Sequence, residues 1–331
     1  MTALMAASRR AGASRLAIGA GGALALLAVP LLGDYNTSLA IVIAIHTIVT
    51  VGLCLLMGYA GQVSLGHAAF YGLGAFTSGI LTVRFGFSPW IALAAGAVLC
   101  AAIAWGTGYA IFSLRGPYLA LATLAFGIIV YVLFVEVKDL TGGPQGLPGI
   151  PPLEVAGFAF DTDTRFYYLA LIACIGTLVL SHNIVHSRPG RALRAIHGNE
   201  DAARSVAVDV DAYKVKVFVL SAIYASVAGS LYAHYVTFVS PQPFSFVFSV
   251  KLLTMVAVGG LASVWGSVFG ATVVNLLSAA LQPFGDLDVV VFGLALVALM
   301  VYLPQGLTRA ILDVRDRRAA ARQDRRGGLR P

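Results

Sequence analysis

Long apolar runs that recur along the whole chain constrain its fold more than any other feature of the sequence. A helix that crosses the hydrocarbon core of a bilayer needs about 20 predominantly apolar residues, and within that core it satisfies its own backbone polar groups. Such runs lie at 16–33, 39–57, 66–83, 90–112, 117–135, 166–184, 215–236, 248–262, 264–281 and 287–303. The sequence therefore predicts an all-α polytopic membrane protein with about ten transmembrane helices.

Two parts of this pattern are irregular. The run at 248–262 is short for a complete crossing, and glycine is dense at 58–66, just before the run at 66–83. Glycine is among the weakest helix formers. We therefore expect broken or re-entrant segments within 248–262 and 58–83.

The overall composition agrees with a membrane protein. Hydrophobic residues make up 59% of the 331 residues and charged residues only 11%, whereas soluble domains are about 25% charged. The net charge of +7 fits basic cytoplasmic loops better than binding to nucleic acid, which we exclude. Cys54, Cys100 and Cys174 lie inside apolar runs, so we expect buried thiols and no disulfide or metal site.

The distribution of charge orients the predicted helices. Residues 1–15 carry three arginines and no acid, and residues 304–331 carry eight arginines against three aspartates, a net charge of +5. Residues 185–216 carry six basic and four acidic side chains, net +2, whereas 136–165 carries two basic and five acidic ones, net −3. Because cytoplasmic loops are enriched in Lys and Arg, both termini are expected in the cytoplasm, as ten crossings require.

The predicted organisation is a cytoplasmic N-terminus at 1–15, one transmembrane domain at 16–303 and a basic cytoplasmic tail at 304–331. Within the domain, 136–165 is an outer loop and 185–214 an inner loop. The run at 16–33 resembles a signal peptide, but the many runs after it favour a retained first helix. The basic tail is expected to contact anionic membrane lipid.

A glycine-rich segment at 58–74 places polar groups at or near membrane depth. Gln62, Ser64, His67 and Tyr71 lie in it. Irregular backbone is tolerated at that depth only where it is buried in protein or lines a cavity, and transporters use broken helices beside their substrate path. These four residues are therefore candidates for a translocation path. Tight packing with satisfied polar side chains is the alternative.

The outer loop contains a second glycine- and proline-rich segment at 140–152, which predicts turns without regular helix. Its candidate residues are Thr141, Gly142 and Gly143. The segment is either a flexible linker or a structured mouth that faces another protein.

The inner loop has the pattern of two short helices. Ala192, Leu193, Ala195 and Ile196 form one apolar face of the first helix. Asn199 is placed to cap the second helix, with acidic residues in its first turn. The candidate functional residues of this loop are Arg191, Arg194, Asn199, Glu200, Asp201, Ala202, Ala203 and Ala207. An ordinary basic loop is the alternative.

Two further features of the sequence concern helix packing and a lysine within an apolar run. Gly266 and Gly270 form a GxxxG motif, which brings helices close together. Lys251 lies near one end of its apolar run, where we expect its ammonium group to extend towards the membrane surface.

Several chemistries have no support in the sequence. None of the four lysines follows a glycine, so the chain has no P-loop and no route to ATP through one. It has no HExxH, CxxC or GxSxG motif, and no pair of acids lies within an apolar run. No catalytic or metal-binding residue is predicted. A transporter with this sequence would take its energy from a partner.

These segments together resemble the LivM-type permeases of branched-chain amino acid ABC importers, from about residue 39 to 306. The similar segments, in order, are GYAGQVSLGHAAFYGLGA, LTGGPQGLPGIP, GRALRAIHGNEDAARSVAVDV, YKVKVFVLSAIYASVAGSLYAH and VAVGGLASVWGSVFGA. The LivH-type sister family differs in the first of them.

The resemblance implies a multi-pass protein of the bacterial inner membrane that binds no cofactor itself. It implies a LivH-type second permease, two cytoplasmic ABC ATPases that use ATP, and a periplasmic or lipid-anchored substrate-binding protein. The ATPases would dock on the inner loop, where Glu200, Ala202 and Ala203 match the family's E-x-A-A coupling pattern. That pattern continues to a glycine where this chain has Ala207, and alanine predicts a more regular loop.

Leu, Ile and Val are the substrates that the resemblance favours, while relatives of this type also move urea, amides or aromatic acids. An ion-gradient-driven secondary transporter is a separate possibility, disfavoured because acids within the membrane are missing. A membrane enzyme acting on lipids is a third. His182 and His186 share one helical face, but no acids nearby complete a metal-binding set.

Overall fold

The computed structural model of this protein describes residues 28–114, 116–155, 157–261, 263–281 and 293–294. Helices dominate these ranges. They are α1 (Asp34–Cys54), α2 (His67–Val83), α3 (Pro89–Phe112), α4 (Pro117–Glu136), α5 (Lys138–Thr141), α6 (Asp163–His186), α7 (Arg188–Gly198), α8 (Glu200–Ser205), α9 (Val210–Val236), α10 (Phe246–Gly259) and α11 (Val264–Leu281). The strands are β1 (Leu147–Pro148), β2 (Glu154–Val155), β3 (Phe158–Ala159) and β4 (Phe238–Val239).

Each of the eight predicted apolar runs between 39 and 281 overlaps one of the longer helices. In the described part of the chain, six helices are long and apolar enough to cross a membrane: α1 with its continuation to Tyr59, α3, α4, α6, α9 and α11. Helix α2 has 17 residues and α10 has 14, so α10 is only about 21 Å long. The predicted runs at 16–33 and 287–303, and the segments 1–15 and 304–331, lie wholly or mostly outside the described residues.

Helices α1 and α9 form the centre of the molecule, and both are largely buried within the protein. Helices α3, α4 and α6 surround them and expose large apolar side chains such as Val98, Tyr118, Ile129 and Ile172. Such exposure would be unfavourable in water, but hydrocarbon chains of lipid cover it without penalty. The arrangement explains why the peripheral helices are apolar on every side.

A break in the helical path separates α1 from α2. The last turn of α1 continues as a π-helical turn over Leu55–Tyr59. Residues 61–66 then have no regular structure, with Gly61 in the left-handed region at φ 70°, before α2 begins at His67. The predicted irregular segment is confirmed, and residues 60–66 are called the break below.

Helices α2 and α9 cross with their backbones in contact. A Cβ atom on Gly229 would overlap the backbone oxygen of Tyr71, and one on Gly74 would overlap the backbone of Ser226. The hydroxyl of Ser230 donates a hydrogen bond of 3.0 Å to the carbonyl oxygen of Gly74. Small residues on both helices therefore permit a separation that larger side chains would prevent.

Helices α10 and α11 form a second close pair. A Cβ atom on Gly270 would overlap the backbone oxygen of Met255, and one on Gly259 would overlap that of Gly266. The packing role predicted for the Gly266 and Gly270 motif is confirmed. The turn between the two helices lies against the last residue of α1, since the thiol of Cys54 is 3.3 Å from the carbonyl oxygen of Leu261.

The loop between α4 and α6 is ordered. It begins with the short helix α5, so its first residues are helical, where the sequence predicted turns alone. Strand β1 then pairs antiparallel with β4, which follows α9, and β2 pairs antiparallel with β3. The pairing of β1 with β4 joins the loop to the end of the central helix.

The two short helices predicted for the inner loop are present as α7 and α8. Leu193 and Ile196 are buried as predicted and Ala192 is partly buried, but Ala195 is exposed, so the apolar face is narrower than expected. Asn199 caps α8, its side-chain oxygen accepting a 3.0 Å hydrogen bond from the Ala202 amide. The predicted cap is confirmed.

The expectation that Ala207 makes this loop more regular is wrong. Helix α8 ends at Ser205, and Ala207 has φ 61°, the left-handed conformation that glycine favours. The Val208 amide donates to the Ala203 carbonyl and the Ala207 amide to the Arg204 carbonyl, both at 3.1 Å. These two bonds form a Schellman motif, whose geometry places its C′ residue in the left-handed region whatever that residue is.

Gly229→Ala is expected to lower the stability of the detergent-purified protein by about 1–3 kcal/mol or more, because neither backbone at the α2–α9 crossing can move aside alone. Gly176→Ala is the matched control. Its added methyl group meets no atom within 4 Å, so the helix propensity of alanine should leave stability equal or higher. Thermal unfolding measures both. Equal losses for the two variants would contradict the close crossing.

Ala207→Gly is expected to stabilise the α8 region by up to about 1 kcal/mol, because it removes the left-handed strain of a residue with a Cβ atom. Ala203→Gly, in the buried turn of α8 itself, should destabilise the region by about 1 kcal/mol. Hydrogen exchange of the amides at 203–208 reports both changes. Faster exchange in Ala207→Gly would show that the left-handed turn is not formed.

Candidate functional site

An ion pair with a buried lysine joins α8 to the centre of the molecule. Lys214, in the first turns of α9, is only 2% exposed, and its ammonium nitrogen lies 2.5 Å from the Glu200 carboxylate. Removing a lysine from water is unfavourable unless a partner compensates its charge. Glu200 is that partner, so the position of α8 is set by a charge held inside the protein.

The same carboxylate also binds the break. The side-chain amide of Gln62 donates to Glu200 at 3.2 Å and to the carbonyl oxygen of Ala60 at 2.9 Å. Gly61 packs against α7, where a Cβ atom would lie 3.0 Å from Nδ1 of His197. Gln62 was predicted for the translocation path and Glu200 for the inner loop. The structure brings the two predicted sets together in one hydrogen-bonded junction.

The other predicted residues of the inner loop divide into two groups. Asn199 and Ala203 hold the loop together, the first as a cap and the second as a buried contact with Ile196 and Val210. The second group is exposed: Arg191, Arg194, Asp201, Ala202 and Ala207. The loop therefore presents a mixed, largely basic surface to its surroundings and anchors itself through Glu200.

Ser64 and His67 form a buried hydrogen-bonded chain with Ser221 of α9. Nδ1 of His67 lies 2.9 Å from the Ser64 hydroxyl, and Nε2 lies 2.6 Å from the Ser221 hydroxyl. Both ring nitrogens are therefore used, and His67 is 1% exposed. In this conformation Ser64 and His67 hold the break against α9, which is the packing alternative considered for this segment.

Two further bonds tie the break and the first turn of α2 to other helices. The Leu65 amide donates to the Thr123 hydroxyl of α4 at 3.0 Å, and the Ala68 amide donates to the Ser249 hydroxyl of α10 at 3.2 Å. An irregular backbone at this depth needs such side-chain partners because no neighbouring turn satisfies it. The break and the first turn of α2 are thus connected to α4, α8, α9 and α10 by side chains.

Two of the predicted path residues line cavities. Gln62 lines one of about 340 Å³ together with Gly61 and Glu200, and Tyr71 lines a second cavity. The second cavity has a volume of about 360 Å³ and lies between α1, α2, α9 and α10. His46, Tyr232, Phe248 and Lys251 also line it, and none of them was predicted as a site residue. A histidine and a lysine inside apolar runs were the available signal. The sequence predicted that the Lys251 side chain extends towards the membrane surface, and the structure adds that Lys251 lines this cavity.

The turn at Thr141 is held together by its own hydrogen bonds. The Thr141 hydroxyl lies 2.7 Å from the Phe134 carbonyl oxygen and accepts a 3.1 Å hydrogen bond from the Gly143 amide. Gly142 and Gly143 have φ values of 77° and 60°, and a Cβ atom on Gly142 would overlap the Gly146 carbonyl. The segment is therefore structured and is not a flexible linker. Its contact with another protein stays a prediction.

Comparison with known proteins identifies the family of this chain. The family model described as branched-chain amino acid transport system / permease component matches residues 35–301. The chain is similar to the permease protein LivM of the high-affinity branched-chain amino acid transport system from two organisms. The Escherichia coli protein is 30% identical over 305 residues, covering 84% of this chain and 72% of the relative. The Salmonella typhimurium protein is 29% identical over 314 residues, covering 87% and 74%.

The sister permease LivH of Escherichia coli is 24% identical over 281 residues, covering 79% of this chain and 90% of LivH. No solved structure matches the chain. The family match extends from α1 beyond α11 and includes the break and the inner loop. The chain therefore belongs to the branched-chain amino acid transport permease family, as a transport subunit of the bacterial inner membrane and not an enzyme.

Proposed function

We propose that this chain is the LivM-type permease subunit of an ABC importer that moves leucine, isoleucine and valine. The family match and the LivM relatives support the importer class and the substrate. The observation that carries the mechanism is the Glu200 carboxylate, which binds Lys214 in the central helix and Gln62 in the break.

The proposed topology has ten crossings with both termini in the cytoplasm. The loop between α4 and α6 carries a net charge of −3 and would face outwards, while the basic α7–α8 loop would face inwards. The start of α1 lies at the outer end in this arrangement, because the Ser38 hydroxyl donates a 2.8 Å hydrogen bond to Asp163 at the start of α6. The crossings at 16–33 and 287–303 complete the count.

The proposed assembly contains a LivH-type permease, two cytoplasmic ABC ATPases and an external substrate-binding protein. Similarity to LivH over 79% of this chain supports two permeases of one architecture that enclose a path between them. The exposed face of α7 and α8 would receive the ATPase. The turn at Thr141, Gly142 and Gly143 would meet the binding protein.

The junction at Glu200 would transmit movement from the docked ATPase to the translocation path. A displacement of α8 would move the Glu200 carboxylate, and the buried Lys214 charge would resist separation from it. Gln62 would follow through its hydrogen bond to Glu200, and with it the break that positions the start of α2. Movement of the docking helix would thereby reach Tyr71 and the cavity one turn further along α2.

Glu200→Gln is expected to reduce ATP-driven leucine uptake by the complete importer about tenfold or more, because the ion pair to a buried lysine is lost. Deletion of 199–207 is expected to abolish uptake while the protein still inserts into the membrane. Uptake is measured in proteoliposomes that contain ATP and the loaded binding protein.

Asp211→Asn is the matched control, since it also removes one carboxylate at this end but from an exposed pair with Arg204, which contributes little. The double variant Glu200→Gln with Lys214→Met removes the uncompensated buried charge and should fold stably yet remain deficient in uptake. Uptake that survives the deletion would contradict the proposed coupling role of residues 199–207. Leucine uptake driven by an ion gradient without ATP would end the importer proposal itself.

A further inference from the structure

The cavity beside Tyr71 has the size and position of a small-molecule site. Its volume of about 360 Å³ is at the lower end of the range for ligand pockets. Residues from four helices and the segment before α10 surround it, and no aspartate or glutamate is among the described residues that line it. A compact ligand therefore fits it better than a large one, and a cationic side chain would find no counter-charge.

The Tyr71 hydroxyl needs a partner that the described residues do not supply. Tyr71 is 1% exposed, and its oxygen is buried without a hydrogen bond. The ring itself is held by Phe244, Phe248 and Tyr232, at centroid distances of 5.4, 5.3 and 5.7 Å. A buried polar atom without a partner is unfavourable by an amount comparable to a lost hydrogen bond. A ligand in the cavity can supply the missing bond.

His46 presents an acceptor to the same cavity. The Asn275 side-chain nitrogen donates to the Ala271 carbonyl at 2.7 Å, so the Asn275 oxygen is the atom that faces His46. That oxygen lies 2.9 Å from Nδ1 of His46 and can only accept, so Nδ1 carries the proton. In the neutral ring Nε2 is then an acceptor, which suits a ligand ammonium group.

Lys251 adds a positive charge to the lining of the cavity. It lies six residues into α10, a helix that is otherwise apolar or hydroxylic, and it lines the cavity together with His46 and Tyr71. An ammonium group in a low-dielectric surrounding attracts an anion more strongly than it would in water. A carboxylate is the anion that can accept from Lys251 and from the Tyr71 hydroxyl together.

We infer that this cavity binds a zwitterionic α-amino acid with an apolar side chain during its passage. Lys251 and the Tyr71 hydroxyl hold the carboxylate, Nε2 of His46 accepts from the ammonium group, and the rings of Tyr232 and Phe248 contact the side chain. The inference rests on the proposed function, because it assigns contacts to the cargo of that importer. Urea and simple amides, which have no carboxylate, would not use Lys251.

The test measures leucine uptake and binding-protein-stimulated ATP hydrolysis by the same importer in proteoliposomes. Lys251→Met should lower uptake about tenfold or more, as expected for loss of a charge-assisted hydrogen bond, while ATP hydrolysis is kept. Tyr71→Phe should lower uptake less, because it removes a neutral donor only. Lys251→Arg keeps the cation and should retain most of the uptake.

Lys216→Met and Tyr109→Phe make the same substitutions at exposed residues and should leave uptake unchanged. Equal losses for Lys251→Met and Lys251→Arg would overturn the carboxylate contact, because shape and not charge would then matter. Unchanged uptake in Lys251→Met would overturn it as well, with the importer function intact. Failure of the unmodified importer to take up leucine would instead overturn the proposed function.

Discussion

The close crossing of α2 and α9 is the constraint on which the rest of the structure depends. Gly74, Gly229 and the small residues around them let two backbones touch inside the membrane, where no hydrophobic effect drives helices together and packing must do so. The crossing sets the depth at which α2 begins. His67 therefore reaches Ser221, and Tyr71 reaches Tyr232, only because the two helices lie this close.

Polar groups in the interior show how the break is tolerated. Ser64, His67, Thr123 and Ser249 each bind a partner across a helix boundary, which offsets the loss of regular backbone bonds at membrane depth. Tyr71 differs, since its hydroxyl is buried without a partner. Among the described residues, the buried hydroxyls of Tyr71 and Ser226 are without a partner, and of these two only Tyr71 lines the cavity beside α10.

Much of the fold could be predicted from local pattern. The eight described long helices, the break, the Asn199 cap and the GxxxG pair all follow from runs of apolar residues, glycine density or capping chemistry. Ala207 was misjudged because intrinsic propensity favours helix for alanine, while the Schellman bonds at the end of α8 impose a left-handed residue. The cavity that Lys251 lines could not be predicted in this way, because its other residues come from distant parts of the chain.

By itself the sequence determined that the chain crosses a membrane many times, where its helices lie, where they break and which family it belongs to. These properties depend on hydrophobicity and on the spacing of residues that are close together in the sequence. Only the tertiary structure decided which polar residues meet. Gln62 and Glu200 are 138 residues apart and His46 and Asn275 are 229 apart, and no periodicity encodes such pairs. They form because glycine-mediated packing brings particular helix faces together, and one hydrogen bond or ion pair then fixes each junction.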